Sequence, residues 1–146
     1  MIEDPQDTKE CRNRALNLLS RRTHFSAELR RKLLSRGFDP RTVEHTLEGL
    51  AQEQLINDRE ASREFVETKL RRKAVGRMRL LSELSRRGVD RDLAEQVVDS
   101  VYPSNEEELA RRAAATGASD DHRALGRRLQ RLGFRPSTIR KVLGER

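Results

Sequence analysis

A helix–turn–helix phrase spelled three times constrains this chain more than anything else in it. It reads KLLSRGFDPRTVEHTL from residue 32, SELSRRGVDRDLAEQVV from residue 82 and RRLQRLGFRPSTIRKVL from residue 127. Gly37, Gly88 and Gly133 anchor the three copies. Leu33, Leu84 and Leu129 stand four residues before the glycines, and Leu29, Leu80 and Leu125 eight before. That spacing lays one apolar stripe along a helix. A glycine just past the stripe can take φ > 0 and close the last carbonyls of the helix. Phe38, Val89 or Phe134 follows and can fold back on the last turn. Val43, Ala94 and Ile139, then Leu47, Val98 and Leu143, mark the inner face of the next helix. Asp39 and Asp90 are expected to cap that helix, and Pro40 and Pro136 suit its first position. Arg135 replaces the aspartate in the third copy, so a weaker cap is expected there.

Each hairpin is preceded by a further helical stretch. The first is expected over residues 8–22, with Ala15, Leu16 and Leu19 inward. The second follows Asp58 as N-cap and carries Ala61, Phe65 and Leu70. The third follows Ser104, where Ser104 and Glu107 spell a capping box, and it buries Leu109, Ala110 and Ala113. The expected fold is therefore all-α: an elongated array of three tandem three-helix repeats, about nine helices, over residues 1–52, 53–102 and 103–146. A module of this size has a thin core, so neighbouring repeats should support one another.

The composition agrees. Hydrophobic residues are 34% and charged residues 38% of 146, with no Trp, one Tyr and four Phe. That suits small helix-to-helix cores and is poor in strand formers. A lone Cys11 excludes an internal disulfide framework. No apolar run reaches membrane-spanning length and the N-terminus lacks the apolar stretch of a signal peptide, so a cytoplasmic protein without membrane contact is expected. No dimer-forming seam stands out, and a monomer is expected.

The net charge is +7, which favours a polyanionic partner such as single- or double-stranded DNA. The charge is uneven: residues 59–91 carry +6, residues 92–120 carry −5, and residues 121–146 carry +6. In the first basic stretch Lys69, Arg71, Arg72, Lys73, Arg77 and Arg79 surround one helix junction, and Arg86 and Arg87 end the next helix. In the second, Arg123, Arg127, Arg128 and Arg131 recur at spacings of three and four. These residues are the contact candidates for phosphates or for an acidic protein surface, acting by charge and hydrogen bonding. Arg at a helix end also complements the dipole, and that structural role suits Arg86 and Arg87. Arg30, Arg31, Lys32 and Arg36 are offset by nearby acids and are assigned to a solvated face. The run Glu106, Glu107, Glu108 is explained by its place in a first helical turn. His24, His45 and His122 are scattered, so no metal is expected, and no arrangement of nucleophile, base or phosphate loop points to an enzyme or a cofactor. Few aromatics argue against base stacking as the main binding mode.

Taken in order, ALNLLSRRTHFSAELRRKLLSRGF, LINDREASREFV, GRMRLLSELSRRGV and LGRRLQRLGFRPSTIRKVL resemble the RecX family of RecA-regulating proteins. The resemblance covers residues 12–143. Locally, Ala61 and Ser62 stand where that family commonly has a Phe-Ala pair, and Arg77 follows Gly76 where Pro is frequent. The resemblance implies a cytoplasmic protein that binds RecA and its filament on single-stranded DNA. It also implies inhibition of filament growth, strand exchange and ATP turnover. The alternative is a sequence-specific helix-turn-helix protein. Its second helix would need polar readers, whereas PRTVEHTLEGL and RDLAEQVVDSV offer mostly acidic or apolar residues.

Overall fold

A computed structural model describes residues 5–116 and 121–144. Nine helices are found among them: α1 Pro5–Arg21, α2 Ser26–Ser35, α3 Pro40–Gln52, α4 Asp58–Arg72, α5 Arg77–Arg86, α6 Arg91–Val101, α7 Glu106–Ala115, α8 His122–Arg131 and α9 Pro136–Val142. No strand occurs among the described residues. The first helix starts at Pro5, three residues before the expected start, and the tail before it lies outside the described residues.

The chain forms two compact units. One holds the residues up to Ala61 together with Arg87–Val89, and the other holds Ser62–Arg86 and the residues from Asp90 onward. In the first unit α1, α2 and α3 pack pairwise. Their shared core is Cys11 and Ala15 of α1, Leu29 and Leu33 of α2, and Val43, Leu47 and Leu50 of α3, closed by Ile56. Leu16 and Leu19 border it, half-buried. Burying one such leucine contributes about 2 kcal/mol, so a few per helix suffice to hold three short helices. In the second unit α5 packs on α6, and α7 packs on both α8 and α9. Leu109, Ala110 and Ala113 of α7 meet Leu129 of α8 and Phe134, with Leu70, Leu125 and Ile139 alongside. Leu29, Leu33, Leu80, Leu84 and Leu129 of the expected inner faces are buried, whereas Leu125, Leu143, Phe65 and Leu70 are half-buried, and in α4 Val66 is buried beside Ala61.

The helix caps depart from expectation in three places. Asp39 caps α3 through Arg41 N at 2.8 Å, but Asp90 at the equivalent position makes no side-chain cap bond. Asn57, not Asp58, caps α4, accepting from Arg59 N and Glu60 N. Asp58 instead reaches α2, where its Oδ1 accepts from Ser26 N at 2.8 Å and Ser26 Oγ at 3.1 Å. It thereby serves a helix whose own N-cap, Phe25, has no side-chain acceptor to offer. The capping box of Ser104 and Glu107 does not form. Asn105 caps α7 through Glu108 N at 3.3 Å, and Glu107 pairs with Arg111 one turn on. At α9 the missing aspartate is replaced from outside the helix. Glu106, only 4% exposed, accepts from Arg135 N at 2.9 Å and Arg135 Nε at 3.1 Å. Glu106 therefore has a specific partner beyond the dipole of its own helix.

Gly37, Gly88 and Gly133 all have φ near +90°, as the turn requires. Two of them also permit close approach. A Cβ on Gly88 would lie 2.4 Å from Ala27 Cβ, and a Cβ on Gly133 would lie 2.2 Å from Arg79 Cβ and 2.3 Å from Arg79 N. A Cβ on Gly37 would meet nothing within 4 Å. The turn at Gly133 is bonded to the start of α5: Gly76 N donates to Leu132 O at 2.7 Å and Met78 N to Gly133 O at 3.1 Å. Both glycines of that contact are obligatory, because a Cβ on Gly76 would fall 2.0 Å from Gly133 C. Ala61 and Ser62 are both buried in α4, and the Ser62 hydroxyl has no hydrogen-bond partner among the described residues.

Candidate functional site: a cationic cleft in the second unit

The bonds between the Gly133 turn and the first residues of α5 set the C-terminal half of α8 beside α5. Basic residues more than forty positions apart in sequence thereby meet. Arg79, Arg86 and Arg131 line one open cleft of about 520 Å³ with Ser82, Glu83 and Gln130. Arg79 Nη1 lies 3.5 Å from the carbonyl oxygen of Arg131. Glu83 is the one carboxylate in the lining. It sits 3.4 Å from Arg79 Nε and 3.6 Å from Lys69 Nζ, so it orients two cations at the cleft's edge. Arg86 and Arg131 are exposed and form no ion pair among the described residues. The cleft thus offers guanidinium groups on both walls with more positive than negative charge. Such an arrangement can bind phosphate oxygens or carboxylates through bidentate hydrogen bonds.

The remaining candidates are placed differently. Arg77 pairs with Asp99 at 2.8 Å, which ties α5 to α6. Arg71 donates to Thr68 Oγ1 at 3.2 Å, and Arg72 and Lys73 are exposed at the end of α4. The ammonium of Lys69 lies over Phe65, 5.6 Å from the ring centroid. Arg87 groups with the first unit, with its guanidinium 5.8 Å from the Phe25 centroid, whereas Arg86 groups with the second. Arg128 turns to α7, donating to Thr116 Oγ1 at 3.1 Å. Arg123 and Arg127 line a second opening together with His122 and Arg140. Sequence spacing did not identify Arg140, Gln130 or Ser82, because only the tertiary contact of α5 with α8 and the packing of α9 bring them to these surfaces.

Of the residues assigned to a solvated face, Arg30 pairs with Glu44 and Lys32 lies 4.0 Å from Glu28. The Arg22 guanidinium, hydrogen-bonded to Glu28, holds that carboxyl below the usual range. Burial pushes the Cys11 thiol up, away from the reactive thiolate. His24 Nδ1 lies 2.9 Å from Arg22 O and its Nε2 lies 2.9 Å from Lys32 Nζ, so both ring nitrogens are engaged within the first unit. No group of three or more potential metal ligands occurs among the described residues. No described helix is long and apolar enough to cross a membrane.

Two family models match the chain, those of the first and second three-helix domains of RecX, over residues 11–50 and 57–98. The regulatory protein RecX of Prosthecochloris aestuarii is 34% identical, with 95% of each chain covered. The chain belongs to the RecX family. The regulatory protein RecX of Halorhodospira halophila is 35% identical over 96% of this chain and 90% of its own. The fold is shared with the crystal structure of RecX from Lactobacillus salivarius, at a TM-score of 0.83 and 21% identity over 95% of this chain and 96% of that one. Neither RecX domain model reaches α8, so one wall of the cleft, Gln130 and Arg131, lies outside the residues those models match.

Proposed function

We propose that this RecX-family protein binds RecA and the RecA filament on single-stranded DNA, and that binding inhibits filament growth, ATP turnover and strand exchange. The observation that carries the proposal is the meeting of Arg79 and Arg86 with Arg131 in one cleft. Two basic sequence stretches that looked independent thereby supply one binding surface. In the proposal this cleft, with Arg72 and Lys73 beyond it, meets the DNA backbone or acidic surface of the filament. In this reading the chain is three consecutive three-helix modules, divided near residues 52 and 102, and the second and third carry that surface. The protein acts by binding one state of the filament better than others and needs no chemistry of its own. It works in the cytoplasm, where RecA filaments form during recombination and repair. No feature of α3 or α6 favours the alternative of a sequence-specific helix-turn-helix protein. Their exposed positions include Glu44, Glu48, Asp92 and Asp99, which the phosphates flanking a groove would repel.

The test is RecA ATPase activity on single-stranded DNA, with filament length followed in parallel, at substoichiometric amounts of this protein. Both should fall. Unchanged rate and length would remove the proposal.

A further inference from the structure

Beside the cationic cleft the second unit carries a different opening, of about 610 Å³, between α8, α9 and the start of α5. Its floor is Gly126, Phe134, Ile139 and Leu143, and Met78 forms a lip that is 51% exposed. Arg123, Arg127 and Arg140 stand around it, and no carboxylate is among its lining residues. None of these three arginines forms an ion pair among the described residues. Residue 126 puts no side chain into the groove, and there is room for one: a Cβ there would meet only Leu143 Cδ1, at 3.4 Å. Glycine weakens a helix interior, so α8 is less stable for keeping the floor open.

From this combination we infer that the groove is a docking site for an acidic amphipathic peptide segment of the protein partner. A bulky apolar side chain rests on the Gly126–Leu143 floor, and carboxylates on either side bond the rim arginines. The charge pattern selects the occupant. A nucleic-acid backbone would use the arginines but gain nothing from Ile139 and Leu143, and Phe134, at 2% exposure, cannot offer a base its ring face. An apolar anchor inside a ring of Arg is the arrangement that holds peptide segments at protein interfaces. Exposed Met78 can adapt to the shape of the anchor. The groove and the cleft share Met78, Gln130 and Gly133, so a docked segment places its partner directly beside the cationic surface.

This inference rests on the proposed RecA partnership and names the chemistry by which RecA is held. The experiment uses the full chain and its Gly126→Leu and Gly126→Ala variants. Leu intrudes on the floor of the groove and Ala does so less; neither changes charge or is part of the cleft lining, and both favour the helix. Each protein is titrated against intact RecA, against fluorescein-labelled short peptides tiled along RecA, and against a labelled oligo(dT). The wild type should bind RecA and those peptides that combine several carboxylates with a bulky apolar residue. Gly126→Leu should weaken both by about tenfold or more, equivalent to about 1.4 kcal/mol, and Gly126→Ala by less. Oligo(dT) affinity should be the same in all three proteins. Equal RecA and peptide affinity in the wild type and both variants would overturn the docking site while leaving RecA binding intact. A parallel loss of oligo(dT) affinity would reassign the groove to nucleic acid. Failure of the wild type to bind RecA at all would remove the partnership and this inference with it.

Discussion

At the scale of single residues, the first positions of two helices serve helices other than their own. Asp58 opens α4 yet satisfies the N-terminus of α2, and Glu106 opens α7 yet holds the backbone amide at the start of α9. In sequence Asp58 reads as the cap of its own helix and Glu106 as a dipole-complementing residue of a first turn. Their tertiary bonds make them costly to lose. Asp58→Ala should lower unfolding free energy by about 1 kcal/mol, as for a lost helix cap. Glu106→Ala should cost about 2 kcal/mol, because a charge-assisted bond to a buried carboxylate disappears. Urea denaturation measures both, and values near zero would mean the two side chains act only through the dipole. Glu28 gives a pH signature. Its carboxyl is depressed in the folded protein by Arg22. The pair therefore stabilises the fold above the unfolded carboxyl value of about 4.3, and that stabilisation is lost as pH falls through the folded value. Glu28→Gln should flatten this part of the acid limb of stability, and an unchanged limb in the variant would show that the pair is inert.

At the scale of helices and turns, the identity and inner faces of the elements were legible because they are local. Leucines at four-residue spacing before Gly37, Gly88 and Gly133 mark helices whose stripes are buried, except for Leu125, which is half-buried. The caps were only partly legible. Asp39 works within its own segment, whereas the partners of Asp58 and Glu106 lie 32 and 29 residues away. The glycines were half legible in the same sense. Their positive φ follows from the turn, but the close approach of Gly133 to Arg79 is a fact of packing. Alanine substitution separates the two roles. Gly37→Ala meets open space and should cost about 1–2 kcal/mol for the left-handed backbone alone. Gly133→Ala must also displace the start of α5 and should cost about 3 kcal/mol or more. Thermal unfolding of the two variants distinguishes them, and equal losses would mean that the Gly133 contact is not tight.

At the scale of the whole molecule, RecX membership was legible from the order of four short stretches spread along nearly the full chain. The site was legible only as a list of cations. Spacing along α8 put Arg123, Arg127, Arg128 and Arg131 in one group, yet the fold divides them among the cleft, the groove and a bond to Thr116. Arg86 and Arg87 are likewise neighbours in sequence and belong to different units. No local pattern encodes this sorting, because it depends on which helix packs beside which. The sorting also makes the central claim testable with few substitutions. Arg86 and Arg131 are exposed, and each lies on a different wall of the cleft. The most direct measurement is inhibition of RecA ATPase on single-stranded DNA by the Arg86→Glu/Arg131→Glu protein, compared with the wild type at matched thermal stability. We predict that about tenfold or more of the double variant is needed for half-inhibition, since two contacts of about 1 kcal/mol or more each are reversed. Undiminished inhibition by a folded double variant would contradict the assignment of the cleft as the contact surface.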